Sequence, residues 1–198
     1  MGVASVVGLC QGDLYAAGDE GRPVVVLVDD RARVQPHLLD LAEKQAARIY
    51  THAGAKMVWR SAPAAVRSEG PEAPDDGFTV RLVIQAEFRG ASGSTPTFLM
   101  GAAPDTAVEC GGVAYLFFDQ ITAFSNIMLR DPALVLGIVA AHEVGHVLLR
   151  RQGHSTAGLM RASWKPDDWE RAASGSLLFS PSEGTAVRKR ISECRQGG

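Results

Sequence analysis

His142, Glu143 and His146 sit together in the run His142-Glu143-Val144-Gly145-His146, and their types and spacing could do chemistry as a unit. Four residues advance an α-helix by about one turn, so the two imidazoles project from one side and can meet a single metal ion at about 2.0–2.1 Å. Glu143 stands next round the helix, placed to take a proton from a metal-activated water rather than to bind the ion. A zinc ion would acidify that water towards a pKa of about 7. Glu143 would accept its proton as a carbonyl is attacked and pass it to the leaving amine. Two satisfied core histidines are the plainer reading, but a charged glutamate beside them on an apolar helix is costly without a partner ion.

An open catalytic site needs a third protein ligand. His154 lies eight residues after His146. On a straight helix it would sit about 12 Å further along the axis, so the helix has to stop and the chain fold back. Gly153 permits such a turn. Glu170, 24 residues after His146 in Asp167-Asp168-Trp169-Glu170, is the rival from a later segment.

The elements that must position these residues can be read in outline. Val24 to Val28 is a short β-branched run that reads as a buried strand ended by Asp29-Asp30. A helix is expected from about Pro36 to Ala53, with Leu38, Leu41, Ala42, Ile49 and Ala53 on one face and Gly54 as its stop. Further strands are expected at Ala55–Trp59, Phe78–Ile84 and Val113–Phe118. The stretch from Ser61 to Gly77 reads as a surface loop and 89–112 as a long irregular connection. Asp119–Leu129 is a short helix or turn. Asp131-Pro132 then caps a helix running to about Arg150 that is apolar nearly all round and so should be central. Ser180-Pro181-Ser182-Glu183 is a capping box that opens a closing helix. The layout is α/β: a small mixed sheet, a backing helix after the first strand, and a central helix carrying the motif.

The bulk numbers frame this as one domain. The hydrophobic fraction of 46% and charged fraction of 21% are ordinary for a globular chain. A net charge of -2 provides no footprint for nucleic acid or an anionic membrane. The apolar run Ala133–Ala141 is too short to span a bilayer. Residues 1–21 read as a loose leader and 22–198 as the catalytic domain. Met1–Leu9 lacks the basic region and cleavage site of a signal peptide. Three cysteines at long spacings (Cys10, Cys110, Cys194) are neither a disulfide framework nor a zinc site, and leave one bridge or three thiols open. His37 and His52, flanking the first helix, are expected at the surface. Trp164 and Trp169 are expected to pack the lower part of the domain. Tyr115 either lines or fills the cleft; were its strand the upper edge, an extended peptide could pair with it.

The residues after His154 run Ser155-Thr156-Ala157-Gly158-Leu159-Met160. His142 to His154 followed by Gly158-Leu159-Met160 resembles the metzincin clan of zinc peptidases, which carry three histidines on an extended H-E-x-x-H motif above a methionine-containing turn. The run His142–Trp164 resembles small bacterial proteins with H-E-x-G-H-[LV]-L-L and H-S-x-x-G-[LI]-M-R-A-x-W. The likeness covers roughly 23–164, with its specific part in 142–164. It implies His142, His146 and His154 as zinc ligands, Glu143 as general base and Met160 as the Met-turn residue. It also implies an antiparallel edge strand above the cleft, and favours an extracytoplasmic or secreted location.

The chain departs from the clan pattern in several places. Leu149 holds the place of the turn glycine, Gln152 that of the third histidine, and Arg150-Arg151 the place where near relatives have a glycine. The helix is therefore expected to run about half a turn longer. No tyrosine follows Met160, which leaves the oxyanion-stabilising residue unassigned. The expectation is a monomeric zinc-dependent metallopeptidase acting on peptides or proteins. Two alternatives stand beside it: a zinc-binding but catalytically silent partner-binding protein, and a zinc hydrolase of non-peptide amides.

Overall fold

Val24, Val26 and Val28 alternate with less buried neighbours along β1 (Val24–Asp30), and this period-two pattern sets the core face of a sheet. The computed structural model describes residues 23–63, 77–88, 99–105, 109–150 and 153–194. The expected leader at 1–21, Cys10 and most of the loop expected at 61–77 lie outside the described residues. After β1 come α1 (Pro36–His52), β2 (Met57–Ser61), β3 (Thr79–Gln85), β4 (Gly101–Ala102) and β5 (Gly111–Phe117). Then follow α2 (Phe118–Ile127), α3 (Pro132–Leu149), α4 (Pro166–Ala173) and α5 (Pro181–Glu193).

The fold is mixed α/β. The five strands lie in the order β2-β1-β3-β5-β4. β2, β1, β3 and β5 are mutually parallel, and only β4 runs antiparallel, on β5. The register aligns Val26 with Val80, Val28 with Leu82, and Leu82 with Ala114, so one apolar face forms across three strands. α1 and α3 pack together against this side of the molecule in one core.

Three expectations change here. β1 continues through Asp29-Asp30 rather than ending before them. Asp29 is buried, but Arg81 on β3 and Arg31 pair with it at 2.9 and 2.8 Å, which offsets the cost of placing a carboxylate in the sheet. Burial opposes ionisation of Asp29, yet these two guanidiniums hold its carboxyl below the ordinary value. The buried face of α1 is Ala42, Ala46, Ile49 and Tyr50, whereas Leu41 is exposed. The reason is a close helix crossing: a Cβ on Gly137 of α3 would come within 2.7 Å of the Ala42 carbonyl oxygen. Gln45 Cβ would lie 2.8 Å from the same point, so α1 presents Ala42 and Gln45 to the crossing and Leu41 lies on its outer face. Finally, the edge of the sheet is not the strand bearing Tyr115. β4 covers it, pairing Ala102 with Tyr115, inside the segment expected to be irregular.

α3 starts as expected: the Asp131 side chain accepts from the Ala133 amide at 2.8 Å, with Pro132 in the first turn. Among the described residues it is the helix long and apolar enough to cross a membrane. Fourteen of its eighteen residues are buried inside the fold, which accounts for that composition by core packing. A disulfide between Cys110, just before β5, and Cys194, at the end of α5, ties the closing helix to the sheet. His37 and His52 are exposed, as expected.

Candidate metal centre

α3 places His142 and His146 one turn apart, and the chain then reverses to bring His154 to them. The reversal begins at Arg150, the C-cap of α3, whose φ of 46° is left-handed. This is the position where a glycine was expected, and an arginine takes the conformation instead. Its guanidinium donates to the Glu109 carbonyl at 2.9 Å, anchoring the strained residue to the turn before β5.

Beyond the reversal, a short ladder holds the returning segment. The Ser155 amide donates to the Met160 carbonyl at 2.7 Å, and Ser155 and Arg161 form a parallel bridge. The Leu159 amide donates to the Leu178 carbonyl at 3.0 Å, and Gly158 supplies the positive φ of 77° that the turn requires. Met160 is fully buried beneath α3. A Cβ on Gly145 would lie 2.7 Å from Met160 Sδ and 3.2 Å from the Phe179 ring, so the glycine inside the histidine motif is what lets the methionine seat there.

Three imidazoles converge as a result. His146 Nε2 lies 3.0 Å from His142 Nε2 and 3.3 Å from His154 Nε2. One ligand atom from each of the three falls within 4.8 Å of the others, and the group could hold a metal ion. Three nitrogens on a tetrahedral ion at zinc distances stand about 3.3 Å apart. The donor chemistry fits as well. His142 Nδ1 lies 2.8 Å from the Leu159 carbonyl, which can only accept, so Nδ1 carries the proton and Nε2 presents its lone pair. Burial pushes the His142 pKa down to about 4, which keeps the ring neutral at physiological pH.

Glu143 is buried and lines the same cleft as the imidazoles, and burial pushes its carboxyl up to about 8. Its other neighbour is the edge strand: a Cβ on Gly101 would fall 2.6 Å from Glu143 Cγ and 2.7 Å from Oε1. β4 therefore lies directly against the carboxylate. Tyr50 on α1 supports the same helix from behind, donating to the Ala141 carbonyl at 2.9 Å.

No protein-family model matches the chain, and no curated protein matches it either.

The geometry must therefore carry the functional reading. The cluster opens on a cleft of about 320 Å³ between β4 and the returning segment, lined by Met100, Ala102, Arg161 and Trp164 among others. Glu170, the rival third ligand, is elsewhere: it sits exposed on α4 and pairs with Arg130 at 2.7 Å. Trp169 is buried against Phe124, as expected for a packing residue. Trp164 differs from expectation. Its ring stands edge-on to His142 at 5.2 Å, and its Nε1 donates to the same Leu159 carbonyl at 3.1 Å, so it belongs to the site.

Sequence reasoning also missed Gly101, Glu183 and Arg161. Glu183 was visible only as a capping-box residue. Its hydrogen bond with Ser155, the residue after His154, comes from the packing of α5 and leaves no mark in local spacing. Arg161 directly follows Met160 and could have been found by asking which side chains a turn beneath the three imidazoles must present to the cleft.

Proposed function

We propose that this chain is a zinc-dependent metallopeptidase of metzincin-like build, with His142, His146 and His154 holding the ion and Glu143 as general base. The observation that carries the reading is the convergence of three imidazole Nε2 atoms beside one buried carboxylate in an open cleft. Zinc held there supplies Lewis acidity, acidifying water and polarising a carbonyl oxygen.

The protein's own groups do the rest. His142 is locked by its hydrogen bond to Leu159, which fixes both ring orientation and tautomer. Glu143 holds and moves the proton: its carboxylate takes one from the attacking water and returns it to the departing amine. Burial alone disfavours its charged form, and a divalent cation nearby works in the opposite direction, restoring a base near neutral pH. β4 offers an edge beside the carboxylate on which an extended peptide could lie by strand addition. The Cys110–Cys194 disulfide suits an oxidising compartment, in line with an extracytoplasmic or secreted protein.

The test is metal analysis of wild type, His154→Ala and Glu170→Ala, together with a peptide-library cleavage assay on wild type and Glu143→Ala. Near-stoichiometric zinc should survive Glu170→Ala and be lost in His154→Ala. Cleavage should fall by several orders of magnitude in Glu143→Ala, and undiminished turnover there would remove Glu143 as base.

A further inference from the structure

Arg161 brings into the cleft a positive charge that the proposed hydrolytic chemistry does not use. It follows Met160, bridges to Ser155 and lines the same cleft as His142, Glu143, His146 and His154. Its neighbours along the wall (Met100, Ala102, Ala162 and Trp164) are uncharged. A guanidinium against such a wall calls for a partner.

Part of the partner is internal. Arg161 Nη1 donates to Asp168 Oδ2 at 3.0 Å. Asp168 is buried at 4% exposure and has other donors: the Lys165 amide at 2.9 Å and Arg171 Nη1 at 3.4 Å. Two guanidiniums therefore face one carboxylate, leaving one unit of positive charge over. The Arg161 side chain remains 24% exposed, and its Nε and Nη2 donate to no described residue. One part of the planar fork is clamped and the remainder is free to donate. Such an arginine is already held in place, so little rotamer freedom is lost when it binds a second carboxylate.

We propose that Arg161 is a specificity-determining residue that binds a carboxylate of the substrate, making the cleft selective for anionic peptides. The inference rests on the reading of this cleft as a hydrolytic site. A guanidinium–carboxylate contact is charge-assisted and directional, and its loss to a neutral isostere costs roughly tenfold to a hundredfold in affinity. The carboxylate can come from an Asp or Glu side chain or from the end of a peptide.

The test uses zinc-loaded Glu143→Gln protein, so that binding is read without turnover. Calorimetry compares hexapeptides carrying Glu or Gln at each position in turn, each with a free or an amidated C-terminus. A tenfold or greater preference is expected either for Glu at one position or for the free terminus, which distinguishes the two sources. Adding Arg161→Met to the same protein should abolish that preference while affinity for the neutral peptides is kept. No pair differing by more than twofold, no binding of any carboxylate peptide at millimolar concentration, or a preference that survives Arg161→Met overturns the proposal. If Arg161→Met does not fold, Arg161→Lys decides. It keeps an ion pair with Asp168 but lacks the fork, so an unchanged preference counts against Arg161. Failure of wild type to cleave any of the set with zinc bound would defeat the hydrolytic reading instead, and the binding difference would still be measurable.

Discussion

Ser155 and Glu183 are hydrogen-bonded side chain to side chain across 28 residues of sequence. The bond joins the residue after His154 to the first turn of α5. Glu183 is buried, and its second oxygen accepts from the Ser180 amide at 2.8 Å, closing the capping box. One carboxylate thus caps a helix and ties down the turn that presents the third imidazole.

This tie should set metal affinity. Ser155→Ala leaves the capping bonds between Ser180 and Glu183 whole and removes the side-chain link between the His154 turn and α5. Chelator-competition titration should show zinc bound about 10-fold to 100-fold more weakly, the range seen when groups that orient metal ligands are lost. Glu183→Ala should show at least as large a loss, with about 1 kcal/mol of stability gone as well from the broken cap. If Ser155→Ala binds zinc as wild type does, Glu183 serves α5 alone.

Gly101→Ala should separate metal binding from turnover. The new methyl would fall 2.6 Å from Glu143 Cγ, closer than real side chains approach. Either the carboxylate rotates or β4 lifts from the sheet, and the three atoms nearest the new methyl all belong to Glu143 rather than to an imidazole. Zinc content should stay near one per chain while kcat falls at least 100-fold. Retained kcat would show that β4 yields freely and does not position Glu143.

Stability of the metal-free protein should depend on pH through Glu143 and His142. The Glu143 carboxyl is raised from 4.5 to about 8, so the folded state favours its protonated form. That contribution is fully present below about pH 4.5 and is lost as pH rises towards 8, on the order of 5 kcal/mol in all. His142 is lowered from 6.5 to about 4, so its contribution is present above 6.5 and lost as pH falls towards 4. Thermal melts in chelator should therefore show declining Tm on both sides of about pH 5–6. Glu143→Gln should flatten the alkaline side only; an unchanged alkaline slope would mean that the carboxyl is hydrated in solution.

Reducing the Cys110–Cys194 bridge should loosen the closing helix. The two cysteines are 84 residues apart in sequence. By the chain-entropy relation, a loop of this length contributes up to about 4.5 kcal/mol. Denaturant melts with and without reductant should show a drop of about 2–4 kcal/mol. Because α5 carries Glu183, zinc affinity should fall with it. A reduced protein as stable as the oxidised one would show that the packing of Val187 and Ile191 holds α5 unaided.

Much of the scaffold was legible in the sequence because it depends on short-range patterns. A short β-branched run marked β1, and short apolar segments marked β3 and β5. Asp131-Pro132 and Ser180–Glu183 marked the starts of α3 and α5, and four-residue spacing put His142 and His146 on one side of a helix. These follow from local periodicity and from backbone groups that must be satisfied within a turn or two. The remainder came from contacts between distant segments. Which side chain reaches the pair, His154 rather than Glu170, was decided by a reversal at Arg150 and by Leu178 and Glu183 holding the returning chain. Two glycines, Gly101 and Gly145, take their importance from what approaches them, Glu143 and Met160. The position of the edge strand escaped notice because two residues cannot show a period, and Trp164 passed for packing because its aromatic type is common to cores and clefts. By itself the sequence determined the one-turn spacing of His142 and His146, the place of Glu143 between them and the helix that bears them. Only the tertiary structure decided the third imidazole, the cleft and the charge of its wall, since those depend on long-range packing that no local spacing records.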